Sequence, residues 1–306
     1  MDGVVTILIN QVLVMFMLMA VGFLLFKIHM ITKPATQSMM NVAIYAATPC
    51  TMVLSFVSRD FSMELVINAL WSCALGLVTT LIGILLCKTI FRSADNITKY
   101  GIIFNNVGFI GIPIVQSVLG VEYVFYMSMF VAVGTLTLWT YGVVLVSGDK
   151  SEASFKKIIT NPSVIATFIG IILFVTGIKL PFVLDKTMNN LGNLNAPLAM
   201  LILGCYLAEA NIPKTLKTMN TWKIVVGRML LVPLLMIPIL MVLPASVYDI
   251  KVVALIAAAT PVGSMIAILA PKYGGDYAYG AGVVGITTII SMATLPLMLT
   301  IWSMVA

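Results

Sequence analysis

Charge is what this chain lacks most. Of its 306 residues 9% are Asp, Glu, Lys or Arg, against roughly 25% in an average soluble domain. With 61% hydrophobic residues and a mean hydropathy of +1.11, this balance excludes a water-soluble enzyme. It places the chain in a bilayer, where apolar runs of about 20 residues span the hydrocarbon. Asp60, Glu64, Glu122, Asp185, Glu209, Asp249 and Asp276 fall near the ends of apolar runs or between them. A cation/proton antiporter would bury a titratable carboxylate at mid-membrane, so that reading weakens. The single histidine, His29, lies in a polar loop, and Cys50, Cys73, Cys87 and Cys205 are scattered without C-x-x-C spacing, which reads as small buried hydrophobes. Walker A loops, metal-ligand clusters and intramembrane Ser-His pairs are also missing. An ATP-driven pump or an intramembrane protease has nothing to run on, and no catalytic residue, metal or cofactor is expected. The formal charge of +6 comes without a concentrated basic tract, so it speaks for membrane orientation rather than nucleic acid binding.

What is present is a series of long apolar runs. The first, Val4 to Phe26, is too long for a signal-peptide core and is followed directly by Lys27, so it reads as a transmembrane helix. Nine more follow: Ala35 to Val57, Leu65 to Ile90, Tyr100 to Leu119, Tyr123 to Val146, Pro162 to Ile178, Thr187 to Leu207, Trp222 to Leu243, Lys251 to Ala270 and Ala278 to Val305. Loops after odd-numbered runs carry twelve Lys and Arg, and those after even-numbered runs carry four, namely Arg59, Lys179, Lys186 and Lys251. Positive charge stays on the cytoplasmic side. The expectation is a multi-pass protein of the cell membrane with both termini extracellular or periplasmic.

Two of these runs interrupt themselves with residues that weaken a helix. The fourth reads Phe104-Asn105-Asn106-Val107-Gly108-Phe109-Ile110-Gly111-Ile112-Pro113, and the ninth Ala259-Thr260-Pro261-Val262-Gly263-Ser264. Unwound backbone survives at membrane depth only inside protein or beside a water-filled cavity, and paired broken helices point to a transport site. Asn105 and Asn106 can each donate and accept, while N–H groups at a half-helix start suit a carboxylate. The plainer reading is a proline kink with the asparagines bonded between helices. Thr260 and Ser264 add hydroxyls, with a packing motif as the alternative. Asn195 and Pro197 in the seventh run, and Thr48, Pro49 and Thr51 in the second, stand evenly between cavity lining and helix packing. Arg228 lies about 9 Å along a helix from Trp222 at roughly 1.5 Å per residue. Snorkelling of its side chain to the cytoplasmic surface is favoured over attraction of an organic anion.

The halves resemble one another. Met40 precedes Pro49 by nine residues as Met188 precedes Pro197, and each broken segment is followed by an acidic-Tyr pair, Glu122-Tyr123 and Asp276-Tyr277. Five runs per half make the repeats inverted across the membrane. The expected fold is an all-α polytopic membrane protein of ten transmembrane helices. It is built as two inverted five-helix repeats, 1–148 and 161–306, around a short cytoplasmic linker 149–160. Helices 4 and 9 are broken and crossing, as in sodium/proton antiporters and bile-acid transporters.

The stretch Asn106-Val107-Gly108-Phe109-Ile110-Gly111-Ile112-Pro113 resembles the fourth-helix motif of the auxin efflux carrier family, whose bacterial members include malate and malonate permeases. Thr260-Pro261-Val262-Gly263-Ser264, continued to Pro271-Lys272-Tyr273-Gly274, resembles that family's ninth helix and its exit. Leu201 to Leu207 and Ala47-Thr48-Pro49 are similar to its seventh and second helices. The resemblance implies a scaffold domain from helices 1, 2, 6 and 7 and a transport domain from helices 3 to 5 and 8 to 10. It implies crossover prolines at Pro113 and Pro261 and a substrate-binding asparagine at Asn106. The long cytoplasmic loop of many plant members is missing, which disfavours auxin as substrate and regulation by loop phosphorylation. The expected function is secondary transport of a small organic anion, a mono- or dicarboxylate, by elevator-type alternating access. A transporter-fold ligand sensor and a sodium-coupled organic anion symporter of the bile-acid type are the alternatives, and a homodimer stays open.

Overall fold

The computed structural model describes residues 2–274 and 277–305. Asp276 lies outside the described residues, so the pair it forms with Tyr277 is not placed. Among the described residues every extended element is helical. The chain runs through α1 (Asp2–Lys27), α2 (Lys33–Val57), α3 (Met63–Lys88), α4 (Asn96–Ile103), α5 (Val107–Val118), α6 (Val121–Ser147) and a short α7 (Phe155–Ile159). It continues through α8 (Pro162–Thr176), α9 (Phe182–Glu209), α10 (Ile212–Lys217), α11 (Met219–Val242), α12 (Tyr248–Ala259), α13 (Ile266–Lys272) and α14 (Tyr277–Val305).

Six of the described helices, α2, α3, α6, α9, α11 and the part of α14 from Tyr279, are long and apolar enough to cross a bilayer, and a seventh span results if residues 150–159 and α8, bent by 43°, are taken together. The fourth and ninth apolar runs fall short of that length because each is two short helices, α4 with α5 and α12 with α13, separated by non-helical residues.

Local chemistry sets the ends of these helices. Ser62 Oγ accepts from Leu65 N at 3.2 Å to open α3, Asp95 Oδ1 from Thr98 N at 2.8 Å to open α4, and Asn161 Oδ1 from Ser163 N at 3.0 Å to open α8. These side chains satisfy N–H groups that the first turn leaves orphaned. Interior prolines leave a different mark. Pro49, Pro113 and Pro233 each follow, two residues on, a π-turn at Ala43–Ala47, Val107–Gly111 and Val225–Leu231. A proline lacks the N–H for the i−4 carbonyl and clashes with it; widening the preceding turn to i−5 bonding moves that carbonyl aside while the helix continues.

The core runs through the middle of the bundle, with the Phe56, Phe125 and Phe174 rings in a row at centroid separations of 4.8 and 5.4 Å. Helices α1 and α9 touch backbone to backbone. A Cβ added at Gly22 would overlap the Leu201 carbonyl, and one at Gly204 the Met19 carbonyl. Small residues allow this closeness where lipid offers no hydrophobic drive for association. Among the described residues three ion pairs tie helix ends and loops together: Lys33–Glu209 at 2.7 Å, Lys179–Asp60 at 2.8 Å and Lys272–Glu152 at 2.9 Å. Each pair joins segments that strict alternation of ten spans would put at one end.

Candidate functional site

The two interrupted segments meet. Thr260 precedes Pro261, which disfavours the helical region for it, and it leaves α12 with extended backbone at φ −65°, ψ 148°. Phe104 leaves α4 in the same way at φ −98°, ψ 127°. The freed backbone groups pair with each other. Asn106 N donates to Pro261 O at 2.9 Å and Gly263 N to Phe104 O at 3.0 Å, forming an antiparallel bridge centred on Asn105 and Val262. Val262 N is met by Thr287 Oγ1 of α14 at 3.4 Å. The requirement that buried N–H and C=O groups find partners is thus answered by one broken helix for the other. Gly263 makes the approach feasible, since a Cβ there would sit 2.9 Å from Asn105 O.

The two asparagines divide the work. Asn105 Nδ2 donates across the crossing to Ala257 O at 3.2 Å, a carbonyl that also accepts from Thr260 Oγ1 at 2.8 Å. Asn106 is 5% exposed, yet among the described residues its Nδ2 has no acceptor. Its carbonyl opens α5 by accepting from Ile110 N at 2.9 Å and Gly111 N at 3.2 Å. The first N–H groups of α5 have no acceptor within their helix. Beside them a Cβ built on Gly108 meets nothing within 4 Å, so there is open room against this helix start. An orphaned amide donor and helix-start N–H groups are each features that suit an anion.

Arg228 does not snorkel. It is fully buried on the π-turn of α11, and its guanidinium reaches the backbone of both broken helices. Nε donates to Thr260 O at 3.3 Å, Nη1 to Ile103 O at 3.4 Å, and Nη2 closely to Ala258 O. Burial of a cation is costly unless it is well bonded, and here the carbonyls at two helix C-termini, the negative ends of their dipoles, provide the bonding.

The other expected site residues are distributed more widely. Pro261 is in the crossing, whereas Pro113 lies seven residues past Asn106 inside α5, about two turns along. Ser264 is half-buried ahead of α13, its carbonyl accepting from Ala267 N at 3.1 Å. Asn195 is buried between α2 and α9, where its Oδ1 accepts from Thr48 Oγ1 at 2.9 Å, while Thr51 Oγ1 donates to Gly192 O at 3.2 Å. These bonds fasten α2 to α9, and among the described residues Asn195 Nδ2 too lacks an acceptor.

Sequence reasoning missed a cleft where α1, α5, α9 and α14 converge. Met15, Met19, Met200, Ile110, Ile114 and Ser291 are among its walls. Ile110 and Ile114 stand one and two turns beyond Asn106 on α5, so the cleft runs along the face that Asn106 opens. The unusual supply of 21 methionines was the available signal, because flexible thioethers suit adaptable apolar surfaces. Among the described residues no group of three or more His, Cys, Asp or Glu could hold a metal ion. Outside the membrane, Glu152 accepts from Tyr273 Oη and from Lys272 Nζ, and these hydrogen bonds hold its carboxyl below the usual range. The Lys179 ammonium does the same to Asp60.

Comparison with known proteins matches the chain along nearly its whole length. The sequence profile of the family described as Membrane transport protein matches residues 7–299. An uncharacterized transporter of Methanocaldococcus jannaschii is 26% identical over 310 residues, covering 94% of this chain and 96% of that protein. The resemblance seen in the fourth- and ninth-helix motifs therefore holds along nearly the whole length, and this multi-pass membrane protein belongs to the auxin efflux carrier-like family of membrane transport proteins.

Proposed function

We propose that the protein is a secondary transporter of a small organic anion, and that the carboxylate binds at the crossing. The observation that carries this reading is the buried, unpartnered amide of Asn106 at the start of α5. A donor so placed costs about 1–3 kcal/mol if it stays unsatisfied, and a carboxylate oxygen relieves that cost. The N-terminal end of α5 adds positive potential of the same sign. Asn105, Thr260, Pro261 and Gly263 shape the backbone around the ligand, and Gly108 leaves room for it.

In this reading the chain spans the membrane ten times as two inverted repeats. The reciprocal bonds Asn106 N to Pro261 O and Gly263 N to Phe104 O are what a two-fold relation between the broken helices would produce. The three ion pairs support alternation of the loops between two ends, and the lysine bias puts both termini outside. Helices 1, 2, 6 and 7 would form the scaffold, against which the remaining helices shift as an elevator, carrying the crossing with them.

The test is uptake of radiolabelled malate, malonate and indole-3-acetate into proteoliposomes under imposed potential and pH gradients. At least one is expected to accumulate. Asn106→Ala is expected to abolish that uptake while detergent-solubilised protein stays monodisperse with an unchanged melting temperature. Wild-type uptake by the variant would remove Asn106 from the site, and binding without uptake under every gradient would favour a sensor.

A further inference from the structure

We propose that Arg228 is the positioning residue of this carboxylate site, a fixed cation that holds the two broken helices in register without touching the anion. The inference rests on the transporter reading above. Helices α4 and α12 both bring their C-terminal ends to the crossing, and each end is equivalent to roughly half a negative charge. Two such ends repel one another and would repel a carboxylate. One guanidinium, carried in by α11, about cancels the pair and leaves the positive starts of α5 and the short α13 as the dominant field at the site.

The contacts give this charge a mechanical role as well. Arg228 donates to Ile103 O on one broken helix and to Ala258 O and Thr260 O on the other. Ile103 is followed by Phe104, whose carbonyl accepts from Gly263, and Thr260 by Pro261, whose carbonyl accepts from Asn106 N. Each backbone bond of the crossing is therefore one residue away from an Arg228 contact, and the second of them fixes the backbone of Asn106 itself. A planar fork can serve carbonyls on two helices at once; a lysine ammonium, a compact point charge on a flexible stem, does not reproduce that geometry. Arg228 is fully buried with these donors directed at backbone, so it acts through the crossing.

Proteoliposome uptake by the native protein, Arg228→Ala and Arg228→Lys tests this, using whichever of radiolabelled malate, malonate or indole-3-acetate the native protein takes up fastest. Arg228→Ala is expected to raise KM by about ten- to a hundredfold, since small misplacements of a binding group cost factors of this order. Millimolar guanidinium should bring KM back to within a few-fold of native, and tetramethylammonium should not. A native KM in Arg228→Ala, or a raised KM that neither cation restores or that both restore alike, overturns the proposal. Should Arg228→Ala fail to give monodisperse protein, Arg228→Lys decides. It keeps the charge and loses the fork, so KM is expected to rise more than kcat falls, and native values of both overturn the proposal. The two readings fail separately. If the native protein takes up none of the three and none raises its melting temperature, the transporter reading falls; if native uptake is normal and Arg228→Ala matches it, only the role of Arg228 falls.

Discussion

The two broken segments make the same backbone bridge and spend their side chains differently. At residues 260–263 the groups are committed: Thr260 bonds back to Ala257, its carbonyl takes Arg228, and Gly263 is in close contact with Asn105. At residues 105–108 one donor is left over, Asn106 Nδ2, and a glycine stands beside open room. The ninth-run segment braces, and the fourth-run segment keeps the donor on which the proposed binding rests. Similar motifs in two halves of a chain thus need not carry equal shares of one function, because a buried donor already paired within the protein has less to offer a ligand than one left unpaired.

Glycine substitutions on the two sides should separate most widely. Gly263→Ala forces a methyl to 2.9 Å from a backbone oxygen, which neither segment can yield without breaking the bridge. We expect a loss of about 1–3 kcal/mol, typical of overpacking, with uptake abolished and melting temperature lowered. Gly108→Ala meets nothing and should keep or slightly raise stability, by up to about 1 kcal/mol in a helix, while reducing uptake because the methyl occupies the ligand's room. Equal melting temperatures for the two variants would erase the distinction between brace and binding side.

Asn105 and Asn106 offer a finer contrast within one segment. Asn105→Ala removes the bond to Ala257 O, and since that carbonyl keeps Thr260 Oγ1, the cost should be close to that of one ordinary hydrogen bond, about 1 kcal/mol. Uptake should fall but persist. The opposite ordering, with Asn105→Ala silent in transport and Asn106→Ala destabilising, would exchange their roles.

Composition and run length were enough to read a multi-pass α-helical protein, because bilayer thickness translates directly into sequence. The glycines, prolines and asparagines of the fourth and ninth runs marked where backbone pairing fails, and the structure brings those two stretches together. The residues that break the helix were harder to place. The family resemblance implied a crossover at Pro113, yet the chain unwinds earlier, at residues 104–106, and absorbs Pro113 with a π-turn. Arg228 misled for a related reason. Its distance from the helix end fitted snorkelling, and only the placement of three carbonyls from two other helices, a long-range property, makes burial the better solution. Asn195 and Thr48 were even between cavity and packing on sequence grounds, and their mutual bond ties α2 to α9.

The smallest expected effect lies where the exit of the ninth run meets the linker between the halves. Glu152 accepts from Lys272 at 2.9 Å and from Tyr273, and its carboxyl is held below the usual range. A depressed carboxylate contributes stability that is fully present above its unfolded pKa, about 4.3, and is lost as pH falls through the lower folded value. The pair is exposed and screened, so its worth at neutral pH is small. Melting temperature followed from neutral to acid pH should therefore show native protein slightly above Glu152→Gln at neutrality, with the two curves converging only below the ordinary carboxylate range. Uptake at neutral pH should match. A large loss of uptake in Glu152→Gln would mean that the linker contact governs the motion of α13, and with it that the bracing segment, and not the binding one alone, sets the rate of transport.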